Sequence, residues 1–342
     1  MCKTNAVVDI EDERPEVDQA SRPVEKTVIM AMQEEMEDAF MRQAVHSSRL
    51  ADLKCQEQKE PRGNAFPSTD QGTALRSAAL RCMMRMLHIS AGTQCGWFKA
   101  AKLFDIYVAQ EGLQIEKLPA TCVAIMRITK KVDQKTTSGL VEMQWLPCAQ
   151  ELAGLLSAAG LPTDPLDSAA LRQHELAVIG SLGWQLGQCC VEQWYHIFIV
   201  RFVMLTNLDL RSVLQQVEAK MLVLARAVIV SQRASDLSQG GLSMGLLCIC
   251  LIEAGLIPVD LLRPEELTET QWMEVYLNCQ SAKVAPQFRL ADGDRLVHLL
   301  AAATAEPVDG LKRVTHQVAE VITTLQGMAA SREGPDRIKT HI

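Results

Sequence analysis

Leu171-Arg172-Gln173-His174-Glu175-Leu176-Ala177-Val178-Ile179-Gly180-Ser181-Leu182-Gly183-Trp184-Gln185-Leu186 is the stretch on which the fold turns. Leu171, Val178, Ile179 and Leu182 recur at i, i+7, i+8 and i+11, one face of an α-helix. Asp167 or Ser168 supplies the N-cap, and the helix ends before Gly183. Glu175 stands at i+4, on that same apolar face. An ionised carboxylate there must be paired or hydrogen-bonded, or it costs several kcal/mol. Two readings are open. One is a structural ion pair at the edge of the core, with Arg172 or a distant lysine. The other is a carboxylate held in a groove to receive the backbone N–H groups of a partner.

Working towards the N-terminus, the same period repeats. Leu75, Ala78, Ala79, Cys82, Met83, Met86 and Leu87 follow the i, i+3, i+4, i+7 template, with Thr73 as N-cap. A second helix, Trp97 to Gln110, puts Ala101, Phe104, Tyr107 and Val108 on one side and ends at Gly112. A third opens at Leu118-Pro119, with proline where its missing N–H is harmless. Its Thr121, Ile125, Ile128 and Val132 share a face. Lys130 and Lys131 close it, where cations complement the macrodipole. A polar loop holding Thr136, Thr137, Ser138 and Gly139 follows. A fourth helix runs from about Pro147 to Ala159 and stops at Gly160, with Pro162 just beyond. With the helix of Glu175 this makes five helices in about 110 residues and no strand-like alternation, so the class is all-α. Each helix buries one stripe and must pack on the others.

Towards the C-terminus there is an echo. Val108-Ala109-Gln110 ends one helix and Leu118 opens the next; Val230-Ser231-Gln232 ends another and Leu242 opens its successor. Both opening helices are apolar and rich in small residues: Cys122, Val123, Ala124 and Ile125, then Leu246, Leu247, Cys248 and Ile249. The repeat predicts a second helical domain over 191–288 after a first over 71–190. Residues 289–342 are expected as a helical extension, Val314 to Met328, with a polar tail. Residues 1–70 form an N-terminal extension. Asp9, Glu11, Asp12, Glu13, Glu16 and Asp18 predict disorder at its start. From Pro23 to Gln58, Val28, Met32, Met36 and Phe40 recur at every fourth position and predict a long amphipathic helix, stopped by Pro61 and Gly63.

Composition excludes several classes. The chain has 342 residues, 41 acidic against 34 basic, for a net charge of −7. That balance argues against binding nucleic acid through phosphates and against an anionic membrane surface. Apolar residues are 48% of the chain, enough for a core. The window Leu242 to Val259 contains Glu253 and is short for a bilayer, so it reads as a buried helix. The 11 cysteines, an odd number, read as reduced thiols of a nuclear or cytoplasmic protein. No phosphate loop, HExxH pair, nucleophile elbow or protein-kinase signature is present. Cys189-Cys190 and Cys248-x-Cys250 lack histidines at zinc spacing and read as core. The expectation is therefore no catalytic residue, no metal and no cofactor.

Taken together these residues resemble the cyclin family. Leu75-Arg76-Ser77-Ala78-Ala79 is similar to the MRxxL start of the family's first helix, and Ala101-Lys102-Leu103-Phe104-Asp105-Ile106-Tyr107 to A-x-x-Y-x-D-R-[FY]. Ile128-Thr129-Lys130-Lys131-Val132-Asp133-Gln134 is similar to I-A-S-K-[FY]-E-E. Glu175 to Leu186 is similar to E-x-x-[IV]-L-x-x-L-x-[FW]-x-L, the strongest of the four matches. The resemblance implies two tandem five-helix cyclin-box domains after a long N-terminal extension. It implies a regulatory subunit, not an enzyme, that binds and activates a cyclin-dependent serine/threonine kinase in cell-cycle control. The family's lysine and glutamate, which hydrogen-bond the kinase main chain, fall on Lys131 and Glu175; a one-residue shift would give the lysine role to Lys130. The family's Arg–Asp pair, which ties the first helix to the second, falls on Arg76 and Asp105. Ala79 and Cys82 occupy the positions of the leucine and tryptophan of the family's patch for Arg-x-Leu substrates, so that docking does not carry over. Leu53-Lys54-Cys55-Gln56-Glu57 fits the L-x-C-x-E motif with which D-type cyclins dock retinoblastoma-like proteins. That motif binds as an extended strand, whereas here it lies in a helical segment, and coincidence is favoured. The same fold also serves adaptors and transcription-related scaffolds without a kinase.

Overall fold

The computed structural model describes residues 47–59, 70–89, 94–133, 139–187, 189–206, 211–231, 237–279 and 293–332. The acidic start and the Val28–Phe40 pattern lie outside these residues. The described residues form twelve α-helices and one 3-10 turn, with no strand among them. They are α1 (Ser47–Lys59), α2 (Asp70–Ile89), α3 (Gln94–Glu111), α4 (Leu118–Asp133), α5 (Gly139–Ala158) and α6 (Ser168–Ser181). Then come α7 (Val191–Thr206), α8 (Arg211–Val230), α9 (Gln239–Glu253), the 3-10 turn Val259–Leu262, α10 (Glu269–Cys279), α11 (Gly293–Thr304) and α12 (Val308–Arg332).

The two helices picked out by the sequence echo are the two central ones. Every side chain of α4 from Thr121 to Thr129 is buried, as is every one of α9 from Leu242 to Ile252. A helix that is apolar all round must be enclosed by others. Accordingly α2, α3, α5 and α6 surround α4, and α7, α8 and α12 pack on α9. The helices of 289–332, expected as an extension, therefore join this second bundle: α12 lies along α9 and α11 along α7. Gly245 makes the α9–α12 approach close. A Cβ there would stand 2.6 Å from Val318 Cγ2 and 2.9 Å from the Val314 carbonyl oxygen. Gly245→Ala should push the two helices apart and cost about 1–3 kcal/mol. An unchanged urea midpoint would contradict this packing.

Local signals explain the boundaries. The Asp167 carboxylate accepts from the backbone N–H groups of Ala169 and Ala170, at 2.9 and 2.8 Å, and caps α6. Gly112 and Gly160 follow α3 and α5 at φ +76° and +74°, a conformation that costs other residues energy. Four expected starts move: Trp97 lies inside α3 and Leu242 inside α9, which begin at Gln94 and Gln239. Thr73 lies inside α2, which begins at Asp70. Helix α5 begins at Gly139, not near Pro147, which sits inside it. The buried Trp145 donates its Nε1–H to the Met86 carbonyl at 2.9 Å, and this anchor holds the turns ahead of the proline.

The two bundles meet where α2 touches α8 and α3 touches α7. Arg76 is buried at that seam. Its Nε and Nη2 donate to the two Asp105 carboxylate oxygens at 2.8 and 2.7 Å, and Nη1 donates to the Ile229 carbonyl at 2.5 Å. Ile229 is in the last turn of α8, where carbonyls lack helical partners and favour a cation. Arg201 does the same for α11, donating from Nε to the Ala303 carbonyl at 2.6 Å. Cys55, Cys82, Cys122, Cys148, Cys189, Cys190, Cys248 and Cys250 are free thiols, and all of these but Cys55 are buried. Burial pushes the Cys248 thiol up to about 12, against a thiolate role.

Candidate functional site

The site is built where the C-terminal end of α4 meets the middle of α6. Glu175 is buried with Leu171 and Val178 on the inner face of α6. Arg172 is exposed on another face and is not its partner. Instead the Lys131 ammonium donates to Glu175 Oε1 at 2.5 Å. The Arg127 guanidinium lies on the other side, with Nη1 3.9 Å from Oε2. Exposure separates the three groups: 49% for the Lys131 side chain, 8% for Arg127 and 8% for Glu175. The two neighbouring lysines diverge. Lys130 directs its ammonium over the Trp145 ring, 5.5 Å from the centroid, a cation–π geometry. Lys131 is thus the lysine beside Glu175.

Arg127 escaped the motif reading. The signal that picked out Glu175, a charge inside an apolar helical run, applies equally to Arg127 between Met126 and Ile128. Exposed apolar side chains stand on the same two segments. Val132 and Leu176, next in sequence to Lys131 and Glu175, are exposed, as is Trp184 at 72%. Trp184 follows Gly183 with φ +62°, a left-handed backbone that is an outlier for a bulky residue.

Beneath this rim His174 joins α6 to α4. Thr121 Oγ1 donates to the Lys117 carbonyl at 3.0 Å and so accepts from His174 Nε2–H at 2.8 Å. Burial holds the imidazole pKa below its ordinary 6.5, with the Lys117 ammonium acting in the same sense and Asp164 opposing. The folded protein then keeps His174 neutral while an unfolded chain protonates near 6.5. Stability should therefore fall as pH drops below about 6.5, and level off once the folded imidazole also protonates. Urea midpoints of wild type and His174→Gln against pH check this: their difference should change through that window, and a constant difference would contradict it.

The other singled-out residues lie elsewhere. Arg76 and Asp105 form the seam pair described above. Leu53, Cys55 and Glu57 lie on α1 as helix, not as strand. Leu53 and Glu57 are buried, and only Cys55 is exposed. Glu57 Oε1 accepts from the backbone N–H of Gly240 in the first turn of α9 at 2.7 Å, and Lys54 donates to the Ala305 carbonyl at 2.8 Å. A Cβ on Gly240 would stand 2.8 Å from Glu57 Oε2. Ala79 and Cys82 are buried, with the Cys82 thiol donating to the Cys148 carbonyl of α5 at 3.4 Å. Among the described residues no group of His, Cys, Asp and Glu is placed to hold a metal, and no helix is long and apolar enough to cross a membrane.

What the rim offers is recognition. A fixed carboxylate accepts N–H donors, and a half-exposed ammonium donates to carbonyls; both suit the main chain of another protein. Neither a family model nor a curated protein matches the sequence. Among solved structures the fold is similar to that of a viral cyclin from herpesvirus saimiri, with a TM-score of 0.52 and 12% identity, over 81% of this chain and 97% of the viral one. The chain has an all-α cyclin fold, two helical bundles in tandem.

Proposed function

We propose that this chain is a cyclin-like regulatory subunit that binds and activates a cyclin-dependent serine/threonine kinase, with cell-cycle control as its setting. The observation that carries the reading is the buried Glu175 carboxylate bonded to the half-exposed Lys131 ammonium, at the two positions that match the family's kinase-contacting pair. The exposed Val132 and Leu176, next in sequence to the pair, and Trp184 just past the end of α6 would add apolar area to an interface, which needs about 1,600 Å² in total with the partner. Phosphoryl transfer belongs to the partner. A kinase is efficient only when its own Lys–Glu pair is assembled. A subunit that grips the kinase helix bearing that glutamate shifts the population towards the active arrangement.

We take the first box as 71–190 and start the second at 191. Docking of a retinoblastoma-like protein through Leu53, Cys55 and Glu57 is outside this reading, because a strand-binding motif would have to give up α1 and the Glu57 bond to Gly240. Substrates with Arg-x-Leu segments are not expected to dock at Ala79 and Cys82, which are closed over by neighbouring helices.

The test is a kinase assay. The purified chain is added to monomeric cyclin-dependent kinases and phosphorylation of a generic substrate is followed. Stimulation of at least one of them supports the proposal. Tight binding with no stimulation would favour the adaptor reading, and no binding would reject both uses of this rim.

A further inference from the structure

Two cations face one carboxylate, and they are not equivalent. Arg127 and Lys131 stand one turn apart on α4, both directed at Glu175 on α6. Lys131 is half exposed and free to turn outward. Arg127 is as buried as Glu175 itself, and its planar guanidinium stays charged across the physiological range. A lysine that grips a carbonyl of a partner must share or leave the carboxylate it already holds. If it left and nothing else compensated Glu175, a buried carboxylate would be stranded at heavy cost.

We infer that Arg127 is the standing counter-ion of Glu175, a positioning residue that keeps the carboxylate aimed while Lys131 exchanges onto the main chain of the partner. The inference rests on the proposed docking role of the Lys131–Glu175 rim. It adds a residue that lies just ahead of the Ile128–Gln134 motif.

Two readouts test it, one of them without any kinase. In the free protein, nitrogen NMR of the Lys131 ammonium reports how tightly it is held. Replacing Arg127 by leucine leaves Lys131 as the remaining cation of this trio, so its proton exchange with water should slow; Arg127→Lys should stay near wild type. With a bound kinase, Arg127→Leu should weaken affinity at least about tenfold, Arg127→Lys should restore most of it, and the loss should disappear when Glu175→Gln is already present. Unchanged Lys131 exchange, or penalties of Arg127→Leu and Glu175→Gln that simply add, would overturn the inference. Should Arg127→Leu fail to fold, Arg127→Gln removes the charge at similar size and yields both readouts. If wild type binds no kinase, the docking role fails, and the NMR result alone still decides whether Arg127 holds Glu175.

Discussion

On the proposed docking role, Glu175→Ala should abolish association with a cyclin-dependent kinase while leaving a folded, helical protein. Truncating one partner of a buried charged hydrogen bond at an interface costs about 2–5 kcal/mol. That is roughly 30- to 5,000-fold in dissociation constant. Lys131→Ala should act in the same direction and less strongly, because its head is half exposed and partly screened by water. The double variant should lose little more than Glu175→Ala alone, since the two groups act as one unit. The free chain should tell the two apart. Lys131→Ala should leave the urea midpoint near wild type, whereas Glu175→Ala removes the carboxylate facing the buried Arg127 and should lower it. Binding by calorimetry or surface capture, beside circular dichroism of each variant, checks the set. Wild-type affinity in both single variants would remove Lys131 and Glu175 from the interface.

Arg76→Ala is the second large effect, and it falls on stability. The guanidinium satisfies both oxygens of Asp105 and a terminal carbonyl of α8, all from a buried position. Breaking a buried pair by deleting one member costs about 3–5 kcal/mol. Asp105 is a third exposed and recovers some hydration, so the lower half of that range is the better guide for its share. Arg76→Lys should rescue little, because a point ammonium cannot fork across a carboxylate and reach a carbonyl as well. The loss should concentrate at the α2–α8 seam, so hydrogen exchange in the last turn of α8 should rise first. An unchanged midpoint in Arg76→Ala would show that the seam is held by apolar contacts alone.

Much of the architecture was legible because local chemistry and burial agree in it. Asp167 caps α6 as its side chain predicts, and Gly112 and Gly160 end helices in the left-handed conformation only glycine adopts cheaply. The apolar runs at Cys122 and Leu246 marked an echo between two helices, and the structure encloses both on all sides, since such runs have no exposed face to offer. What was hidden depended on tertiary contacts. Pro147 looks like a helix start and is an interior residue, because Trp145 is pinned to the Met86 carbonyl across a bundle. The amphipathic segment Val314 to Met328 carries nothing that says it will lie along α9; the close approach at Gly245 decides it. At the site, the period of α6 exposed the anomaly of Glu175. Its partner needed the structure, because Lys130 and Lys131 are indistinguishable in sequence and separate only through Trp145 and Glu175. The left-handed backbone of Trp184 likewise has no signature beyond the glycine before it.

The most direct measurement is amide hydrogen exchange of the full chain with and without a cyclin-dependent kinase it binds. Protection on binding should concentrate at the C-terminal turn of α4, residues 128–133, and along α6 to Trp184. Protection confined to α8 or α12, with the α4–α6 rim unchanged, would contradict it.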